Sequence, residues 1–163
     1  MSKLEKVTHV SLIVVSLLAT IVLVRQHFFP QTVSTHSTAL VGKRFAISGL
    51  TLPRRPAIVV AIRSDCQFCT ASLPFYRQLG NNRGSVPLFF LSSEPAEKLR
   101  EFVDGAGITY DGIASADLRQ AGISVTPAMA IIDSEGTVKQ AFSGKLSEHD
   151  AKAVLALVNK EML

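Results

Sequence analysis

The sequence predicts a mixed α/β domain, a central sheet with helices on both faces, behind one N-terminal transmembrane helix. Three observations carry this reading. An uncharged apolar stretch lies near the N-terminus, short β-branched runs alternate with helical patterns downstream, and a hairpin followed by an amphipathic helix closes the chain. The 163 residues suit one domain with an attachment, and the composition is 47% hydrophobic and 18% charged. That is too apolar for a disordered chain. Two cysteines, Cys66 and Cys69, are present. They are too few for a disulfide-stapled mini-domain or a four-cysteine zinc site. Beyond residue 42, fourteen Lys and Arg face twelve Asp and Glu, a balance of +2. Without a long basic run, this is no nucleic-acid footprint, and no nucleic-acid partner is expected.

The first 30 residues read as a membrane anchor. Val10 to Val24 carries no charge, and its polar residues are Ser11, Ser16 and Thr20. The wider apolar zone, residues 7–29, spans roughly 34 Å as a helix, enough for a hydrocarbon core of about 30 Å. A cleaved signal peptide shares the basic start and apolar core, but needs small residues soon after the core. Here Arg25, Gln26, His27, Phe28, Phe29 and Pro30 follow, and the first small pair is Ser37 and Ala39. The expectation is therefore an uncleaved span. Lys3 and Lys6 precede it and Arg25 follows, which weakly favours a cytoplasmic N-terminus. The remainder would then lie outside the membrane. Residues 31–42 are Ser/Thr-rich where they begin and read as a linker, and residues 43–163 read as one domain.

Within that domain, Arg44–Leu52 suggests a hairpin or edge strand, ended by Pro53 and Pro56. Ala57–Ile62 is a continuous apolar run, as expected of a strand buried on both faces. Cys66–Leu79 reads as a helix with Pro74 inside it. Val86–Leu91 is a second buried strand. Ser93 is a candidate N-cap, followed by Pro95 and a helix face of Leu99, Phe102, Val103 and Ala106. Asp117–Ala121 suggests a short helical turn. Ala128–Ile132 and Thr137–Phe142 flank the turn Asp133-Ser134-Glu135-Gly136, forming a hairpin. Ser147 and Asp150 resemble a capping box, and Val154, Leu157 and Val158 line the last helix.

Cys66-Gln67-Phe68-Cys69 falls where a buried strand ends and a helix begins. At i, i+3 in a first helical turn, two sulfurs can approach bonding distance. Unsatisfied N–H groups favour a thiolate at the first cysteine. The second, one turn in, is placed to attack a mixed disulfide made by the first, as dithiol–disulfide exchange requires. Thr126-Pro127 stands immediately before a strand, a place where an X–Pro bond can be cis.

The buried strand, the C-x-x-C motif, Pro74 five residues after Cys69, Thr126-Pro127 before a hairpin and the closing helix together resemble the thioredoxin superfamily over about residues 43 to 161. The N-terminal anchor and the extra segment Val86–Ala106 make the chain similar to its TlpA-type membrane-anchored members in bacteria. The resemblance implies a thioredoxin-like fold, with Cys66 and Cys69 exchanging electrons with protein thiols and disulfides, more as reductant than as oxidant. It also implies a cis Pro127 beside the cysteines and a Thr126 backbone that pairs with an incoming client strand. The implied location is the bacterial inner membrane, single-pass, with the domain on the periplasmic side and an upstream membrane electron donor. Neither a cofactor nor a metal is expected.

The sequence departs from the family's pattern at several positions. Asp65 stands where thioredoxins place Trp, and Val60 where thioredoxin has a buried acid. Asp65 is either a solvated loop acid or a modulator of the thiols, and Arg63 is placed to offset it. Phe68 is either a client contact or a lid on the active helix. The four histidines have no spacing useful for a metal, and Arg63 replaces the Thr that peroxidase chemistry needs three residues before the reactive cysteine. The alternative to exchange is a binding module of this fold with a structural disulfide.

Overall fold

A computed structural model describes residues 12–21, 35–36 and 39–160. The chain divides into two units, Met1–Thr32 and Val33–Leu163. In the first, residues 12–21 are helical (α1). Leu12, Ile13, Val14, Val15, Leu17, Leu18 and Ile21 are all exposed on α1. Among the described residues no helix is long and apolar enough to cross a membrane. The rest of the expected span 7–29 lies outside the described residues.

The second unit is built on a six-stranded sheet. Its strands are β1 (Thr35–His36), β2 (Ala57–Ala61), β3 (Leu88–Ser92), β4 (Gly112–Ser115), β5 (Ala128–Ile132) and β6 (Val138–Ser143), in the order β1-β6-β5-β2-β3-β4. β2, β3 and β4 run parallel to one another, whereas β5 is antiparallel to both β2 and β6. Four helices accompany them: α2 (Gln67–Thr70), α3 (Leu73–Asn82), α4 (Ala96–Gly105) and α5 (Glu148–Asn159). Parallel strands need a crossover, and the α2–α3 and α4 segments provide the two crossovers.

The alternation of side chains along β2 divides the core in two. Ile58 and Val60 meet Tyr76 and Leu79 of α3, Leu99 and Val103 of α4, and Val154 and Val158 of α5. Ala57, Val59 and Ala61 point into a second cluster with Leu40, Phe45, Ile47, Leu118 and Ile123. The three longer helices thus share the first cluster. Residues 40–47 and a short 3₁₀ helix, Leu118–Ala121, cover the other face. This differs from the expected helices on both faces, and small side chains explain it. Ala57, Ala61, Ala114, Ala128, Ala130 and Ala141 stand among Val59, Phe89, Leu91 and Ile132 in the second cluster, and above the alanines a loop can lie close to the sheet.

Other differences have local causes. Arg44–Leu52 does not form a hairpin. Only Arg44 bridges Thr137, while Phe45 and Ile47 turn inward and Gly49 adopts φ 84°. The expected helix over Cys66–Leu79 is two helices, because Pro74 opens α3 at its first turn instead of kinking one continuous rod. Ser93 does not cap α4. Pro95 occupies that place without a side-chain cap. β4 was not expected, since Gly112-Ile-Ala-Ser is too short and too weakly β-forming to show by pattern. The segment 31–42 read as a linker holds β1, paired with β6 through Thr35↔Ser143 and His36↔Phe142, and Leu40 is buried. Ser147 does cap α5, accepting the Asp150 N–H at 3.1 Å.

Two outcomes follow from this packing. A chain beginning at residue 33 should unfold in urea in one cooperative transition. One beginning at residue 43 should lose about 2–5 kcal/mol, because it lacks the buried Leu40 and the 2.8 Å bond from Gly42 N–H to the Val138 carbonyl. Equal urea midpoints for the two chains would show that residues 33–42 contribute no stability. Gly80, inside α3, is the second case: a Cβ there would lie 2.5 Å from the Thr109 carbonyl oxygen. Ala normally gains up to about 1 kcal/mol over Gly in a helix. Overpacking against fixed backbone costs roughly 1–3 kcal/mol. Gly80→Ala should therefore lower the urea midpoint, and a raised midpoint would show that α3 can shift away.

Candidate functional site

The sheet register assembles the site. Ala61, the last residue of β2, pairs with Ala128, the first of β5. The chain leaving β2 toward Cys66 therefore runs beside the chain entering β5 from Thr126-Pro127. The Thr126–Pro127 peptide is cis, and Pro127 is buried. The Cys66 thiol donates to the Thr126 carbonyl at 3.5 Å, closing sixty residues of sequence into one contact.

Cys66 is the N-cap of α2, in extended conformation, and its Sγ accepts the Cys69 N–H at 3.2 Å. Both thiols are free, Cys66 part-exposed and Cys69 fully buried. Burial first, then the adjacent Cys66 sulfur, push the Cys69 thiol up to about 12, against opposing contacts from Arg63 and Thr126. Val60 and Tyr76 share its core cluster. Tyr76 is buried too, and desolvation followed by the charge at Cys69 holds its phenol well above the ordinary value. Ser72, likewise buried, donates to the Phe68 carbonyl at 2.7 Å and secures the junction between α2 and α3.

Arg63 and Asp65 pair at 2.6 Å on the exposed side of the loop before Cys66. The arginine thus offsets the carboxylate that stands next to the cysteine. Phe68 is 42% and Val125 50% exposed, leaving two apolar side chains uncovered close in sequence to Cys66 and to Thr126. A groove of about 230 Å³ is lined by Arg63, Asp117, Arg119, Ile123, Val125 and Thr126. The structure thus joins Cys66, Cys69, Thr126, Pro127, Arg63 and Asp65 in one region, with Phe68 on the exposed side of α2.

Sequence reasoning missed Ser64 and Glu94. The Glu94 carboxylate accepts the Ser64 N–H at 2.6 Å through Oε2 and the Ser64 hydroxyl at 2.8 Å through Oε1. Lys98 pairs with the same carboxylate. Desolvation would raise this carboxyl, but the bonds from Lys98 and Ser64 outweigh it and hold it at about 2. A signal was available in hindsight. β2 and β3 are parallel with Ala61↔Leu91, so residues three beyond each, Ser64 and Glu94, leave the sheet side by side.

No family model matches the chain, and no curated protein matches it. Solved structures do. A thiol-disulfide isomerase from Corynebacterium glutamicum is similar at a TM-score of 0.54 and 16% identity, covering 72% of this chain and 91% of that one. StoA from Bacillus subtilis is similar at 0.53 and 15%, covering 72% and 97%. A secreted Mycobacterium tuberculosis disulfide oxidoreductase homologous to E. coli DsbE is similar at 0.54 and 18%, covering 64% and 83%. The fold is thioredoxin-like. At these identities the likeness speaks for architecture, and the chemistry rests on the side chains described above.

The Glu94 carboxyl has a lowered value in the folded state, so its contribution to stability is complete above about pH 4.5 and lost as pH falls toward about 2. Urea midpoints measured across that window should fall more steeply for the native chain than for Glu94→Gln. Parallel profiles would mean that this carboxylate is not held by its partners.

Proposed function

We propose that the chain is a membrane-anchored, extracytoplasmic thiol–disulfide oxidoreductase that reduces protein disulfides through Cys66 and Cys69. The single observation that carries this is the asymmetry of the pair: Cys66 part-exposed at an N-cap, Cys69 buried one turn behind it. The Cys66 thiolate attacks one sulfur of a client disulfide, and the other client sulfur leaves as thiolate. Cys69 then loses its proton and attacks Cys66 Sγ, which releases the second client thiolate and leaves a Cys66–Cys69 disulfide. The client gains two electrons and the protein loses two, to be restored by an upstream donor on the membrane.

The client would lie along Thr126, as an added strand whose cysteine meets Cys66, with Phe68 and Val125 against its apolar residues and the neighbouring groove taking a side chain. The direction of exchange is supported by the hydrogen-bond partners of Cys66 Sγ among the described residues, one backbone N–H and one carbonyl, both uncharged. Without strong stabilisation of the reduced form, the disulfide is favoured and the dithiol is a reductant. The anchor is supported by the uncharged run Val10–Val24 and by the exposed apolar side chains of α1.

Cys69→Ala should accumulate mixed disulfides with client proteins on non-reducing gels, and Cys66→Ala should accumulate few. The native pair, equilibrated with glutathione, should have a potential well below about −200 mV. A value near −120 mV would make it an oxidant. A pair that never exchanges would favour the binding module with a structural disulfide.

A further inference from the structure

We propose that Glu94 is a positioning residue for exchange at Cys66, acting through Ser64 to hold the loop that presents the sulfur. The inference rests on the oxidoreductase reading above. Its observations are geometric. Between the end of β2 and the start of α2 the backbone has no ladder partner for the Ser64 N–H, and the Glu94 carboxylate supplies one at 2.6 Å. The second oxygen takes the Ser64 hydroxyl at 2.8 Å, so both oxygens grip one residue, two before Cys66.

The carboxylate is also built into its place. Its side chain is only 10% exposed. Its own N–H donates to the Ser92 hydroxyl at 3.1 Å, and Ser92 is fully buried. A charge this well covered is tolerated only with a full set of donors, and Ser64, Lys98 and the Ser92 hydroxyl, at 3.4 Å, provide them. A carboxylate serving only to start α4 would turn to that helix's free N–H groups. α4 instead begins at Pro95 with no side-chain cap, and Glu94 reaches across to the loop from β2. The loop continues through a turn, Cys66 N–H to the Arg63 carbonyl at 3.4 Å, which sets where Cys66 Sγ meets the Cys69 N–H. Loosening Ser64 therefore loosens the Cys69 N–H bond that the free Cys66 sulfur accepts, and with it the reduced form.

Charge and position predict opposite signs, which makes the inference testable. By charge alone, removing a nearby carboxylate favours the dithiol over the disulfide. Losing the grip on Ser64 favours the disulfide. The full chain in detergent, with Glu94→Gln, Ser64→Ala and Ser64→Thr, would be equilibrated with reduced and oxidised glutathione, with urea midpoints recorded in parallel. Glu94→Gln and Ser64→Ala should each move the Cys66–Cys69 equilibrium about tenfold toward the disulfide, about 30 mV more negative. Ser64→Thr, which keeps the hydroxyl, should stay within about twofold of the native chain. Ser64→Ala leaves the Glu94–Lys98 pair in place, so it reports even if Glu94→Gln folds poorly. A native equilibrium in Ser64→Ala, or a shift of Glu94→Gln toward the dithiol, overturns the inference while the native chain still exchanges. A native pair that does not exchange overturns the oxidoreductase reading itself, and the inference with it.

Discussion

Strand β2 pairs in parallel with β3 on one side and antiparallel with β5 on the other, and this register decides what can stand beside Cys66. The parallel neighbour sends its chain out at the same end of the sheet, which brings Glu94 level with Ser64. The antiparallel neighbour sends its chain in at that end, which brings Thr126-Pro127 level with the cysteines. Sliding β5 by one residue would exchange its core and opposite faces and remove Thr126 from the sulfur. The buried, β-branched Ile58, Val59 and Val60 hold the register, because all three are covered on their own face.

The two sulfurs inherit different environments from one helix. Cys66 sits before the first turn, where N–H groups lack intrahelical partners, and takes one of them. Cys69 follows one turn later and points into a cluster with Val60 and Tyr76, where a charge is costly. Burial holds the Cys69 thiol well above its ordinary value. Val60, buried in the same cluster, adds apolar volume there.

The two faces of the sheet show how side-chain size selects what packs on them. Large residues on one face, Ile58, Phe90 and Ile131, meet three helices. The other face, where alanines stand among Val59, Phe89, Leu91 and Ile132, takes the loop of Phe45 and Ile47 and a single 3₁₀ turn. Close packing to organic-crystal density makes these two solutions non-interchangeable. The helical face carries α3, whose first turn holds Pro74 and begins directly after the α2 turn, with Ser72 securing the junction.

Much was legible in the chain itself. The runs Ala57–Ile62 and Ala128–Ile132 are apolar throughout, the cysteines are three apart after the first of them, and Ser147 carries its own capping signal. These depend on neighbours a few residues away, and local patterns encode them. What remained hidden depended on contacts across the sheet. Glu94 and Ser64 are thirty residues apart and carry no shared motif. β4 is an edge strand without a periodic signature, and the role of Thr35–His36 exists only through β6. Sequence alone therefore determined the longer elements and the placement of the cysteine pair between a strand and a helix. Tertiary structure decided which carboxylate grips the cysteine loop, which carbonyl meets Cys66 and how deeply Cys69 is buried, because hydrogen bonding and desolvation act over a few ångströms of space rather than along the chain.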